Sequence, residues 1–518
     1  MFNRIGRLTV MVAVAAASVP VAALAKDALQ GERLGLASAA DYRLVDGHCT
    51  DCGVSPAALW YFENDVIAVP RAAGAASPAW LWIGSPEILE HGTMSPDGAS
   101  LRVGADDARP LSLTPKIPTN HSYYDASTTA FFAGRPLRVR GRSGDDGGFV
   151  ARTIWPEDLS LAAAPSVQPL SGPESLASLI GADPVSPLTR VLWERPGAAR
   201  AWAGRSALAF VLSGAQGDDD EALGGHFAVA TGTVGAQGEW ADWTVNNFYN
   251  LDSFSEKGIV AARVPMDNYL MDLNSGQAYY RPNYVLAVIL RDREPAQQYQ
   301  QAIDGVYDGF YRHDRLYHHS ASNCAGLSLD ALRGLGWEIP RRGPTGYPKA
   351  MAAFVYMGVK ERSVKSGEKI FDYLTEETTR LLPRVAFDAA GSDVLQLVRG
   401  ERKAATEYER ALKENVEAIV FVRLPQVPSS RAVGAAPVAS FAEYQERVPA
   451  DTSKWKIIPV EPRPFPLALR GGAPLPGHRS SAVPFVALTG LVLVGGGWGT
   501  TRGLRRRFRR RALPTAAA

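Results

Sequence analysis

The sequence predicts an α+β protein organised around antiparallel strands, and three observations lead there. Short apolar or alternating runs, separated by Gly, Pro, Asp and Ser, recur from Asp27 to about Leu170 and again from Ser206 to Leu290, which is the period-2 signature of strands. Two stretches with helical spacing follow, at 295–313 and 323–336. A charged, helix-rich stretch then runs from Glu376 to Val422.

The first element is not part of the fold. Residues 1–25 carry Arg4 and Arg7, an uncharged run from Leu8 to Ala25, and the small-residue end Ala23-Leu24-Ala25, so a cleaved secretory signal is expected. An uncleaved anchor is the alternative. The mature chain is expected to leave the cytoplasm.

Residues 27–170 read as a small β-rich domain. The runs ALWYFENDVIAVP, AWLWIGSP, ASLRVG, RPLRVRGRS and GGFVARTIW are short and bounded by turn residues, with no helical period of useful length between them. Its expected role is accessory or substrate-presenting. A linker, AAAPSVQPLSGPES (162–175), follows, and PESLASLIGA reads as a short helix capped by Ser171 or a near neighbour.

The second body spans 196–342. SALAFVLSG, GHFAVATGTV, ADWTVNNFYN and YVLAVIL are strand-like. PAQQYQQAIDGVYDGFYRH is helical by the spacing of Ala302, Val306 and Phe310, and NCAGLSLDALRGLG is a helix with Leu327, Leu329, Leu332 and Leu335 on its apolar face and glycines at its end. Residues 343–424 read as a helical subdomain. The proline-rich stretch 425–480 reads as a semi-rigid spacer.

Ser481 to Thr501 contains no charged residue, enough to cross a hydrocarbon layer of ~30 Å as a helix. Seven arginines sit between Arg502 and Arg511, so 481–501 is expected to be a single-pass helix with 502–518 as a basic cytoplasmic tail. The alternative is a buried glycine-rich segment followed by a nucleic-acid tail. The formal charge of +2 falls to −5 without those arginines and to −7 without Arg4 and Arg7, so the exported part gives no case for nucleic-acid binding. The expected location is a bacterial inner membrane, with the main body in the periplasm.

Three cysteines bear on chemistry. Cys49 and Cys52 in DGHCTDCG are close enough to pair, and an odd count in an oxidising compartment then leaves Cys324 as a free thiol. A metal site with His48 or a redox CxxC stays open as an alternative to the disulfide. Cys324 stands at a helix start behind Ser322 and Asn323, where unpaired N–H groups and the dipole favour a thiolate and can face an oxyanion. By itself it reads first as a small buried residue, as most free cysteines do. His226, behind two glycines in LGGHFAV, is placed to act as its base, and WTVNNFYN offers Asn246 or Asn247 to hold the imidazole. Strand alternation allows only one of the two to face it.

GGHFAVAT, DWTVNNFYN and SNCAGLSLDALR, in this order, resemble the bacterial Lnb N-terminal periplasmic domain family over about 196–342. Lecithin retinol acyltransferase and permuted cell-wall cysteine peptidases are its broader relatives. The resemblance implies a permuted papain-like fold, with histidine before cysteine in the chain. It also implies Cys324 as nucleophile, His226 as base and Asn247, followed by Phe248, as orienting residue. Ser322 stands where the family often has a second asparagine, which weakens the oxyanion assignment. The implied function is a membrane-anchored cysteine hydrolase or acyltransferase with a thioacyl intermediate. Its substrate would be a peptide, a cell-wall peptide or an acyl lipid, and it would need no cofactor or metal. The alternative is a non-catalytic envelope module that keeps the fold as a scaffold.

Overall fold

The structure, a computed structural model, describes five short strands between Arg33 and Gly84, without their side chains, and residues 88–451 with breaks, the longest at 116–123, 217–222 and 249–261. Cys49, Cys52, the signal at 1–25, the spacer beyond 451, the 481–501 segment and the basic tail lie outside the described residues. The protein is mixed α+β. Among the described residues no helix is long and apolar enough to cross a membrane.

In chain order, β1 (Arg33–Leu34) and β2 (Ala37–Ser38) form a minimal ladder, and β3 (Tyr42–Asp46), β4 (Val66–Pro70) and β5 (Trp82–Gly84) form an antiparallel edge. A closed barrel follows: β6 (Ile88–Met94), β7 (Ser100–Val103), β8 (Asp107–Leu113), α1 (Ala126–Phe132), β9 (Pro136–Ser143) and β10 (Phe149–Pro156). Its order β10-β8-β7-β6-β9 closes through a parallel β8–β10 pair, so no edge is left open. Helix α1 interrupts the expected run of strands. Asp125 starts it with a capping box, its carboxylate accepting from the Ser127 and Thr128 N–H groups, a signal hidden in a Thr- and Ser-rich stretch.

The large sheet carries the rest. After α2 (Leu176–Gly181) come β11 (Leu188–Glu194), β12 (Ser206–Ser213), β13 (His226–Thr233), β14 (Thr244–Asn247), β15 (Ala262–Pro265), α3 (Met266–Met271) and β16 (Asn283–Leu290). The cap of α2 is Ser175 rather than Ser171, since Ser175 and Ser178 exchange side-chain-to-backbone hydrogen bonds. Then follow α4 (Glu294–Tyr311), α5 (Cys324–Gly334), α6 (Tyr347–Lys360), α7 (Val364–Thr375), α8 (Thr378–Leu381), α9 (Pro383–Arg399), α10 (Glu407–Asn415), β17 (Val416–Leu424) and α11 (Phe441–Arg447). The sheet order is β11-β17-β16-β12-β13-β14-β15-β5-β4-β3, antiparallel throughout except β15 against β5. All residues of β12 and β16 are buried, which explains their unbroken apolar sequences: α4, α5 and α9 pack on β12 or β13.

Three domain expectations are corrected. The stretch 343–424 is helical only to Asn415, and β17 inserts between β11 and β16, next to the edge of the sheet. VEAIVFVRL, fully buried, reads as helix or strand from its apolar run alone. The proposed spacer is partly packed: Ala435 bridges to Ala215, the Val438 N–H donates to Leu223 O, and Val427 and Val438 are buried. The 27–170 and 196–342 bodies share one core, which runs from Leu101 and Val139 to Trp243 and Phe421. Buried ion pairs also cross between them, Arg140 Nε with Asp267 at 2.7 Å and Arg152 Nε with Asp272 at 2.6 Å. Trp155 meets Trp240 edge-on at 5.1 Å.

Candidate active site

His226 opens β13, and the two glycines before it act differently. Gly225 has φ +73°, and a Cβ there would lie 2.5 Å from Ser213 O and 2.7 Å from Pro437. A side chain is therefore excluded, whereas Gly224 faces open space. The turn delivers His226 opposite Ser213 in the β12–β13 ladder, with the imidazole buried. Tyr269 lies beside it, ring centroids 6.3 Å apart, with its hydroxyl 3.2 Å from Ser213 Oγ.

Asn247, not Asn246, meets the imidazole: its Oδ1 is 2.8 Å from His226 Nε2. An amide oxygen only accepts, so Nε2 carries the proton and Nδ1 is left with its lone pair. The Tyr307 hydroxyl donates to Asn247 O at 3.0 Å, and its ring stacks on Phe248 at 4.3 Å, which fixes the end of β14. Asn246 donates to Val229 O and exchanges hydrogen bonds with Gln300, itself bonded to Thr231 and Asp304. This is a buried polar network on the opposite face of the strand. Burial pushes the Asp304 carboxyl above its ordinary value against the pull of Arg263 and Gln300.

Cys324 is the first residue of α5 and is 4% exposed. Asn323 is the cap: its Oδ1 accepts from the Gly326 N–H at 2.8 Å, while its Nδ2 donates to His319 O and Leu381 O. With both ends of that amide committed, Asn323 shapes the helix start and does not present donors to an oxyanion. Ser322 does not cap the helix either. Its backbone closes a tight loop with His318 through two hydrogen bonds.

Burial pushes the Cys324 thiol above its ordinary value, and this outweighs four opposing influences: the Phe227 N–H, the Tyr317 hydroxyl, the Ala325 N–H and the charge of Arg281. The expected thiolate-favouring helix start is thus overridden by desolvation. Phe227, whose N–H is the largest of those four influences, directly follows His226 in β13. Arg281, buried, is held through Nε on Gln277 Oε1 at 2.9 Å and through Nη1 on Gly214 O at 3.1 Å. Among the described residues no carboxylate pairs with it.

Tyr317 is the residue that the motifs miss. Its hydroxyl accepts from the Cys324 N–H at 3.3 Å and also draws the Cys324 thiol pKa down. The available signal was the loop YHHSASNC, whose small polar residues let the chain double back through His318 and Ser322. His318 and His319 belong to that loop. His319 sits at its surface, with its pKa held below the ordinary value by desolvation and then by the charges of His318 and Lys369.

Comparison with protein-family models, with curated proteins and with solved structures finds no match for this chain.

Proposed function

We propose that this protein is a cysteine hydrolase or acyltransferase of permuted papain-like design, acting on an amide or ester through a thioacyl intermediate. The observation that carries the reading is the Asn247 Oδ1 to His226 Nε2 contact of 2.8 Å, together with the pull that the Phe227 N–H, of the residue after that histidine, exerts on the Cys324 thiol.

The chemistry then runs as general-base catalysis, because the resting thiol is neutral. His226 Nδ1 takes the thiol proton as Sγ forms a bond to the acyl carbon, and the carbonyl oxygen becomes an oxyanion. The Tyr317 hydroxyl and the Cys324 N–H, which now bond each other, turn toward that oxyanion. Collapse breaks the bond to the amine or alcohol, which leaves with the proton from His226. Water, or an acceptor alcohol or amine, then gives its proton to His226, attacks the thioester and releases Cys324 as the thiol. Hydrolysis and acyl transfer differ only in that second nucleophile. In the same reading the chain is held to a membrane by 481–501, and its substrate is a peptide, a cell-wall peptide or an acyl lipid.

The burial of Cys324 at 4% favours the other reading, a non-catalytic envelope module that keeps the fold. A p-nitrophenyl ester separates the two. The wild type should release nitrophenol in a burst and carry a hydroxylamine-sensitive acyl mass on Cys324, both abolished in Cys324→Ser and strongly reduced in His226→Ala. No adduct on the wild type, or an adduct indifferent to His226→Ala, refutes the enzyme reading.

A further inference from the structure

Helices α6 and α7 form a hairpin whose outer surface differs from the rest of the protein. Gly367 lets the two helices approach closely, since a Cβ there would lie 2.7 Å from Phe354 O, and Phe354 meets Phe371 edge-on at 6.4 Å. That inner face accounts for only part of the apolar content of α6, YPKAMAAFVYMGVK. Ala352, Val355, Tyr356 and Val359, at helical i, i+3, i+4 and i+7 spacing, form a second apolar stripe that faces outward. Val359 is 74% exposed and Tyr356 63%, and Tyr347 and Val364 extend the patch at the two ends. An apolar stripe on each side of a helix is the pattern of a buried element. Here one side is open.

The rim of the patch is mixed but basic on balance, with exposed Glu361 and Glu368 among five Lys and Arg side chains. Helix α6 contains no acid, and Lys349, Lys360, Arg362, Lys365 and Lys369 make no ion pair among the described residues, with Lys360 lying over the Tyr356 ring at 5.7 Å. This is unlike the arginines of the body, which are paired with carboxylates at Arg140, Arg152, Arg333 and Arg402. Tyrosine and valine flanked by unpaired lysines match a bilayer interface with anionic headgroups, the apolar side chains entering the acyl boundary and the ammonium groups meeting phosphates. Near the end of the described residues Phe441 of α11 packs on Tyr373 of α7 at 5.9 Å, Val448 packs on Ala215, Leu223 and Val438, and Asp451 is the last described residue. The segment beyond it leads to the uncharged run at 481–501.

We infer that the α6–α7 hairpin docks on an anionic bilayer surface through Ala352, Val355, Tyr356 and Val359, with Lys349, Lys360 and Lys365 on headgroup phosphates. The inference does not rest on the cysteine chemistry and survives its failure. The test places photoreactive benzoylphenylalanine at Val359 in the full chain, reconstituted in phosphatidylcholine vesicles with and without phosphatidylglycerol. The same residue at exposed Lys403 is the control. Lipid adducts at 359 should exceed those at 403 at least tenfold in the phosphatidylglycerol vesicles, and should fall at least fivefold in a Lys360→Glu, Lys365→Glu variant. Crosslinks to a second copy or to 481–501 in place of lipid overturn the inference. So does a lipid yield no higher than the control, or one indifferent to both phosphatidylglycerol and the charge reversal. Unchanged ester-burst kinetics or, if the protein proves inactive, unchanged amide exchange in β16 and β17 shows that the variants are folded.

Discussion

Asn247 Oδ1 and His226 Nε2 are 2.8 Å apart on adjacent strands, both buried, while Asn246, one residue earlier, points to the opposite face and bonds Gln300. The two asparagines therefore face different surroundings, and replacing each should separate ester turnover from stability.

Replacing His226 by Ala should lower ester turnover by about 10²–10⁴-fold, the usual contribution of a general base. Asn247→Ala should cost less, because it loosens the tautomer and orientation without removing the base. Steady-state kinetics check this, and an Asn247→Ala loss larger than that of His226→Ala contradicts it.

Asn246→Ala should leave turnover nearly unchanged and lower stability by about 1–3 kcal/mol, because Val229 O and Gln300 lose a buried partner. Denaturant unfolding measures the loss. A drop in turnover with unchanged stability assigns the wrong asparagine to the site.

In the folded protein burial raises the Cys324 thiol above its unfolded value. Alkylation by iodoacetamide should therefore be slow at pH 7 and gain rate only at pH above the ordinary thiol range of ~8.5. The same shift fixes the sign for stability. The group's contribution is fully present below the unfolded pKa and is lost as pH rises through the folded one. Cys324→Ser should flatten that alkaline decline, and fast labelling at pH 6 excludes a buried neutral thiol.

Tyr317→Phe keeps the ring that meets His319 edge-on at 5.3 Å but removes the hydroxyl that accepts from the Cys324 N–H. Acylation should slow by about 10²-fold, the size of one lost oxyanion donor, with thermal stability nearly unchanged. Equal burst rates in variant and wild type remove Tyr317 from the site.

Arg402→Ala leaves Asp393 and Glu409 buried without their shared cation, which now sits 2.5 Å and 2.9 Å from them. The cost should be about 3–5 kcal/mol. Trp337 fluorescence should report it, because Trp337 Nε1 donates to Asp393 at 2.6 Å.

The local readings from sequence were closest where one signal acts alone. β12, β13, β16 and the start of α5 fall within a residue or so of their expected places, because apolar runs and an Asn cap are decided locally. β17 was hidden because VEAIVFVRL follows a long helical stretch and takes its strand form from partners far along the chain. Cys324 and His226 stand out by residue type at a helix and a strand start, and Asn247 at the end of β14. Tyr317 does not, because its position is set by a loop closure between His318 and Ser322 that no periodicity announces. The neutral state of the thiol was also out of reach, since a motif shows the helix end and not the depth at which it is buried.

The insertion of β17 between β11 and β16 also bears on how the chain reaches its fold. Until Val416–Leu424 arrives, β16 (NYVLAVIL) exposes an apolar edge with unsatisfied backbone groups, the kind of edge that captures other chains. Pairing across so long a stretch makes the late steps of folding slow. A chain made from its amino end first must therefore be kept from aggregating until Val416–Leu424 has followed. Truncation before Leu424 should yield insoluble protein, even though every residue of the candidate active site is still present.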